Sequence, residues 1–492
     1  MVSASSTITP PAAAVPTAAG RAGLGDIDAS VRAPIIVFFV FGLLWLLAGT
    51  AFALISSVQL HNPGFLNDEA WTTYGRMRPA FLSAMVYGWG FNAAFAIAMW
   101  LMARLSGSVL PGGIVAAVGG VFWNLGVAIG IAGILSGDAT GYAWLDMPRY
   151  VAPLLFVAYA MIGSVTVATF RFGRFRTAYV SQWYLLAALF WFPRFFTIAQ
   201  AMLLFNSPRG VVQSILQSWY AGNVFGLWLA PVALASIYYF IPKITGRPIR
   251  DYRIARMGFW SLGLFASWAG VRLLIGSPVP AWVQAAGAAA SLMMLIPAVV
   301  VAVNHLGSLS DQFRRLKESP TLAFSAFASL AFVVWCVLTA ATSLRSVAGV
   351  TQFTLVNLAV VQLEVQAFFS MAAFGAAYYL LPRVAGIGWP SGALIKAHYW
   401  ATAAGATLAV LCLAIGGWMQ GSAINNPEQF PEYMNVVQRT TPYLVGHSLA
   451  LVLLAVGHLA FAVNVVTLLM KRPTGATATT LLEEPRALEV AQ

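Results

Sequence analysis

The sequence contains few charged residues and very little cysteine. Only 9% of its 492 residues are Asp, Glu, Lys or Arg, whereas 60% are hydrophobic. This balance excludes a string of soluble domains and indicates a protein that crosses a membrane several times. Its two cysteines, Cys336 and Cys412, both lie in apolar segments, so neither fits an exposed disulfide or a thiolate metal site. The net charge of +12 does not indicate nucleic-acid binding, because the basic residues lie in short loops between apolar segments.

Windows of about 19 residues predict an all-α integral membrane protein with twelve transmembrane helices. The membrane domain is expected to cover residues 34–470. The predicted spans lie near 34–58, 80–103, 113–135, 151–170, 180–205, 216–241, 254–275, 282–304, 321–344, 354–381, 399–418 and 441–470.

The two ends of the chain are predicted to be disordered cytoplasmic tails. Residues 1–33 are rich in Ala, Pro, Ser, Thr and Gly and contain no apolar run, which favours a disordered tail over a cleavable signal peptide. Residues 471–492 are polar in the same way. With the N-terminus inside, nineteen of the 27 Lys and Arg residues lie on the inner side, six lie outside, and Arg194 and Arg272 fall within spans. The positive-inside rule therefore predicts that both termini are cytoplasmic.

The segment 354–383 carries one carboxylate, Glu364, between Gln362 and Gln366 in an otherwise apolar span. An ionisable residue at membrane depth is costly, so Glu364 is a candidate functional residue. It could equally pair with a buried basic residue and serve helix packing. Counting residues along each span puts Arg194 at a similar depth, which predicts a buried Glu364–Arg194 ion pair, with Arg272 as the competing partner. If neither arginine lies within about 4 Å, a protonatable, carrier-like Glu364 gains ground.

Short motifs follow one another at spacings typical of one family. They are GRMRP (75–79), WYAGN (219–223), YYFIPK (238–243), WAG (268–270), PAW (280–282), YYLLPR (378–383), KAHYW (396–400) and QG (420–421). On these motifs the chain resembles subunit I of the cbb₃-type cytochrome c oxidases, in the haem-copper oxidase superfamily, over roughly residues 34–470.

The resemblance implies twelve helices in three quasi-repeated groups of four. It also implies histidines on helices two, six, seven and ten that hold a low-spin haem b, a high-spin haem b₃ and a copper where oxygen is reduced. Carried over residue by residue, the ligand positions hold other residues. The low-spin haem position on helix two falls at Phe81, the copper positions at Gly222, Arg272 and Leu273, the helix-ten pair at Val360 and Gln362, and the redox-linked tyrosine at Ala266.

Phe, Gly, Leu and Val side chains cannot ligate a metal, and Gln and Arg are poor substitutes for imidazole. We therefore expect neither haem nor copper, although the family implies both. We expect Phe81, Trp89, Phe368 and Phe369 to fill the volume that haem would take, because interiors are close-packed.

Five histidines remain. His447 and His458 face nearly the same way on helix twelve, about 16 Å apart along its axis, too far for one metal. They stay weak candidates for haem, each with a histidine on another helix. His61, His305 and His398 are expected at the ends of spans, at the membrane interface.

Three functions remain open from the sequence. The first is a non-catalytic, subunit I-like component of a respiratory membrane complex in a bacterial-type inner membrane, paired with cytochrome c subunits or a true oxidase subunit. The second is an active oxidase that binds haem by unrecognised ligands. The third is a proton or small-solute carrier that uses Glu364 and Arg194.

Overall fold

The computed structural model describes residues 23–174, 177–206 and 208–471, and this part of the chain is helical without a strand. It has eleven helices long and apolar enough to cross a membrane. These are α1 (Leu24–Gln59), α2 (Tyr74–Ser106), α3 (Gly113–Ser136), α4 (Arg149–Arg171), α5 (Val180–Phe205), α6 (Val211–Thr245), α8 (Ala281–Leu309), α9 (Pro320–Ser343), α10 (Val356–Ala385), α11 (Gly392–Ile424) and α12 (Tyr433–Met470). The protein is thus a multi-pass membrane protein.

The remaining predicted span, 254–275, corresponds to the shorter and less apolar helix α7. It runs over Tyr252–Ala269 and continues as a 3₁₀ segment, Gly270–Leu274. Arg253 and Arg256 lie in its first turns. Counting α7, the described chain crosses the bundle twelve times, so both described ends lie on one side, the terminal side. The opposite side, which holds the α1–α2 loop, is called the α1–α2 side.

The first helix begins at Leu24, ten residues before the predicted start of the first span at residue 34. Its extension is amphipathic, with Ile27 and Val31 buried, a pattern that a hydropathy window does not detect. Asp28 also forms an ion pair with Arg104 of α2 and accepts a hydrogen bond from Trp100, with a Trp100 Nε1–Asp28 Oδ1 distance of 3.1 Å. The rest of the predicted tails, residues 1–22 and 472–492, lies outside the described residues.

Three helices form the interior of the bundle. In α2 and α6, 94% of the most apolar window is buried, and in α10 83%, whereas the other eight long helices bury between 39% and 56%. Each inner helix contains a π-helical segment, at Ala84–Gly90, Val224–Leu229 and Leu363–Ser370. Such segments are rare and often mark functional sites.

The inner helices end alike on the terminal side. Each is followed by a glycine in the left-handed region: Gly107 at φ 60°, Gly246 at φ 65° and Gly386 at φ 72°. Only glycine adopts this conformation without a steric cost, and it stops a helix cleanly. The equal spacing of four helices between α2, α6 and α10 agrees with the three quasi-repeated groups that the resemblance implies.

Candidate functional site

A cavity of about 640 Å³ lies between the inner helices in the α1–α2 half of the bundle. It reaches the α3–α4, α7–α8 and α9–α10 loops at Trp144, Ser277 and Phe353. Its deepest wall includes Glu364 and Trp335. Residues of α2, α6 and α10 line it only within or before their π segments.

All seven positions that the motifs mark for metal ligands and the tyrosine line this one cavity. Three inner helices and α7 bring them together, although they are spread over nearly 300 residues of chain. They are Phe81, Gly222, Ala266, Arg272, Leu273, Val360 and Gln362. The positions that the motifs mark therefore share one cavity.

Gly222 lies where α6 crosses α7 with backbones in contact. A Cβ at position 222 would lie 2.6 Å from the Cα of Gly270. One turn further, a Cβ at Gly226 would lie 2.9 Å from the Cβ of Ala266. An imidazole at position 222 would therefore require α6 and α7 to separate.

Arg272 is buried in the cavity wall, with 6% of its surface exposed. Its guanidinium donates to Thr342 of α9, with an Nη1–Oγ1 distance of 3.3 Å. A guanidinium stays charged in proteins, so this part of the cavity carries a fixed positive charge.

The predicted ion pair between Glu364 and Arg194 is wrong. Arg194 lies on the exposed face of α5. Among the described residues, no ion pair within 4.0 Å joins Glu364 to Arg194 or to Arg272. Glu364 instead accepts a hydrogen bond from Trp335 of α9, with an Nε1–Oε1 distance of 2.8 Å. Depth estimated by counting residues does not say which way a side chain faces.

Two polar atoms in the cavity wall have no hydrogen-bond partner among the described residues. They are Oε1 of Gln362 and Oγ1 of Thr339, both on buried side chains. Unpaired buried acceptors are costly, and they mark the places where a ligand would be held.

The buried histidines bond to side chains of neighbouring helices. His447 contacts Ser57 and Gln362, with Nδ1–Oγ and Nε2–Nε2 distances of 2.8 and 3.1 Å. His458 contacts Thr50 at 2.7 Å, from Nδ1 to Oγ1. His305 and His398 lie in the terminal turns of α8 and α11, as expected, but both are buried within the protein. His398 lies against Tyr378, with an Nδ1–OH distance of 2.8 Å.

Aromatic rings fill only part of the interior. Trp89, Phe368 and Phe369 are buried as expected, and Trp89 donates to Ser370 of α10 with an Nε1–Oγ distance of 2.9 Å. Phe81 forms part of the cavity wall instead of closing it. These four rings therefore leave a cavity open on the α1–α2 side, contrary to the expectation that they would fill it.

The residues along the cavity do not fit the haem or copper that the resemblance implies. Of the described residues that line it, His447 alone carries an imidazole, and both of its ring nitrogens lie within hydrogen-bond distance of side chains. The described chain also contains no group of three or more His, Cys, Asp or Glu residues that could hold a metal ion.

The α3–α4 loop beside the cavity makes polar contacts that the motifs did not indicate. Tyr87 of α2 donates to the carbonyl of Trp144 at 2.6 Å and contacts the hydroxyl of Tyr220, the tyrosine of the WYAGN motif. Asp146 lies in the same loop and accepts from the backbone N–H of Trp144 at 3.1 Å. Burial raises the pKa of Asp146 to about 7, against the opposing effects of the Trp144 N–H and Arg78. In the sequence, these contacts are indicated only by Asp146, an acidic residue in a short loop that also contains aromatic residues.

The fold matches that of a solved oxidase structure. The chain superposes on a haem-copper terminal oxidase from a cryo-EM structure of the oxidase dimer, with a TM-score of 0.72, 13% identity, and 92% of this chain and 86% of that chain covered. At this identity the likeness shows the fold alone.

Sequence comparison gives the family. Residues 33–453 match the family model described as cytochrome c and quinol oxidase polypeptide I, and the chain belongs to this family. It is 27% identical over 396 residues to the cbb₃-type cytochrome c oxidase subunit CcoN1 of Stutzerimonas stutzeri, covering 78% of this chain and 82% of the relative. It is 26% identical over 467 residues to a cytochrome c oxidase subunit 1 homolog of Azorhizobium caulinodans, covering 90% and 83%.

Proposed function

We propose that this protein is a non-catalytic, subunit I-like component of a respiratory membrane complex. The observation that carries the proposal is the backbone contact between Gly222 and Gly270, which leaves no room for an imidazole at a copper-ligand position. The charged Arg272 in the same wall supports it, because a fixed guanidinium opposes a bound copper cation. The chain keeps the family's scaffold and lacks the donors that oxygen reduction requires.

The setting follows from the family and the charge distribution. We place the protein in a bacterial-type inner membrane with both termini in the cytoplasm, because most basic residues lie on the terminal side. Cytochrome c subunits or a true oxidase subunit I are the proposed partners, since the relatives are named as oxidase subunits.

The test is the haem and copper content of the full-length protein, purified in detergent from cells that make ample haem. A pyridine haemochromogen spectrum and elemental analysis should give well under one haem b and one copper per chain. The CcoN1 relative, purified in parallel, is the positive control for cofactor supply. One haem per chain retained through gel filtration, and lost in His447→Ala or His458→Ala, would restore the oxidase hypothesis.

A second candidate function is a proton or small-solute carrier centred on Glu364. The specific observation in its favour is that Glu364 faces the cavity with a tryptophan N–H as its hydrogen-bond partner and no cation within ion-pair distance among the described residues. Such carboxylates at membrane depth commonly serve ion and proton pathways. Proton or solute flux through reconstituted vesicles that is lost in Glu364→Gln would favour this candidate over the first.

A further inference from the structure

A continuous chain of side chains connects the cavity with the α1–α2 loop. Gln362 contacts His447 at 3.1 Å, and His447 contacts Ser57 at 2.8 Å. Ser57 contacts Ser448 at 2.8 Å, and Ser448 contacts Nε2 of His61 at 3.0 Å. Every link is within hydrogen-bond distance. The inner end lines the cavity, and the outer end is a half-buried histidine in the loop just beyond α1.

The chemistry of the links allows two opposite directions of donation. With the amide N–H of Gln362 donating to Nε2 of His447, the imidazole proton is on Nδ1 and donates to Ser57. Ser57 then donates to Ser448, and Ser448 donates to Nε2 of His61. All four bonds reverse when both imidazoles shift their proton to the other ring nitrogen, the two hydroxyls rotate and the amide flips. Oε1 of Gln362, which has no hydrogen-bond partner among the described residues, then becomes the acceptor for His447. Hydroxyls and imidazoles both donate and accept, so neither direction leaves a middle link unpaired.

We propose that His447, Ser57, Ser448 and His61 form a proton-transfer path between the cavity and the α1–α2 side of the membrane, with Gln362 as the hydrogen-bond partner at its inner end. Once the Gln362 amide has flipped to turn its oxygen toward His447, a proton taken up from the cavity at Nε2 of His447 releases the Nδ1 proton to Ser57. Ser57 passes its own proton to Ser448, Ser448 passes its own to Nε2 of His61, and His61 loses its Nδ1 proton to water. One proton enters, one leaves, and the chain is left with the opposite direction of donation until its groups rotate back.

The surroundings leave the two histidines as the titratable groups of the path. The charged residues that share the cavity with His447 are Arg78 of α2, Arg272 of α7 and Glu364 of α10. Helix α1 has no charged residue between Arg32 and His61, and after Lys396 the only titratable residues of α11 are His398, Tyr399 and Cys412. His398 lies near the opposite end of the bundle, in the first turns of α11. Glu364 is the nearest acidic residue to the inner end along the sequence, two positions from Gln362.

The test is ¹⁵N NMR of the full-length protein labelled at histidine, in lipid nanodiscs. With five imidazoles in the chain, signals are assigned by single substitution. Between about pH 8 and pH 5, which spans the ordinary titration of an imidazole, the ring shifts of His447 should move together with those of His61. In Ser57→Ala and Ser448→Ala, the response of His447 should be lost.

Ser56→Ala is the matched control. Ser56 is adjacent in sequence and lines the same cavity, but its hydroxyl donates to the carbonyl of Ala53 at 3.0 Å and takes no part in the chain. This variant should keep the coupled response. Ring shifts of His447 that stay constant over this pH range in the wild type would overturn the path, as would coupling that survives Ser57→Ala in a protein eluting as the wild type does on gel filtration. The path rests on hydrogen bonds alone, so its failure would leave the cofactor-based proposal untouched.

Discussion

The inner helices differ sharply on the two sides of their π segments. On the α1–α2 side they surround the cavity, with polar and charged groups in its wall. On the terminal side the same helices are buried on nearly every face, and their rings pack against one another, as Phe91 does with Trp123 and Phe192 at centroid distances of 4.8 Å. The half that would carry cofactors is therefore the half that tolerates altered side chains, while the packed half holds the fold.

The strongest way to test this contrast is a pair of Phe→Ala substitutions on α2. Phe91 is fully buried beyond the π segment, and Phe81 lies before it, in the cavity wall. We expect Phe91→Ala to lower the free energy of unfolding by about 4 kcal/mol, since it opens a hole in close packing. Phe81→Ala should cost about 1 kcal/mol, because the removed ring already borders open space. The measurement is unfolding in mixed detergent and SDS micelles. Equal losses would show that the two halves do not differ.

The α3–α4 loop beside the cavity should respond to pH through Asp146. Its pKa is raised to about 7, above that of an unfolded aspartate, so the folded protein holds a proton that the unfolded chain releases between about pH 4 and 7. The stability from this proton is complete at low pH and is lost as pH rises through the folded pKa. The free energy of unfolding of Asp146→Asn should therefore exceed that of the wild type by on the order of 3 kcal/mol at about pH 8, and the two values should be equal near pH 4.

Asp138→Asn is the control for this change. Asp138 is an exposed carboxylate near the start of the same loop, so its substitution should leave the pH dependence of unfolding as it is. A wild type whose stability does not fall between pH 4 and 8 would contradict the buried, protonated state of Asp146.

The smallest expected effect concerns the boundary between the halves, at the crossing of α6 and α7. Gly222→Ala would place a methyl group 2.6 Å from a backbone carbon of Gly270, and such overpacking costs about 1 to 3 kcal/mol. Gly75→Ala on α2 meets nothing within 4 Å and should be neutral or slightly stabilising, since alanine favours a helix over glycine. The difference in thermal midpoint between the two variants measures the contact. A Gly222→Ala protein as stable as Gly75→Ala would mean that the helices separate easily and that a side chain fits there.

Much of the fold could be predicted because a transmembrane helix is defined by its length and apolarity, and a hydropathy window measures both. The motifs also marked Phe81, Gly222 and Gln362, which line one cavity, since each motif lies at a fixed place on an inner helix. The start of α1 was missed because its first turns are amphipathic and are held by Asp28 pairing with a distant arginine.

What the sequence could not supply was the direction in which single side chains point. Arg194 was assigned a depth by counting, but its face of α5 is exposed. His398 was placed at an interface and is buried against Tyr378. The contacts of His447 with α1 and α10 join residues 390 and 85 positions apart, and nothing in the local pattern of α12 indicates them.

The π segments have a consequence for how the length of this chain can change. A π turn holds about one residue more than an α turn, so the segment Ala84–Gly90 accommodates an extra residue without turning one half of α2 relative to the other. The packed rings from Phe91 onward and the cavity wall before Leu82 would therefore keep their faces if that residue were removed and the segment returned to α winding. Each inner helix can thus change its length by one residue at its π segment without disturbing either half.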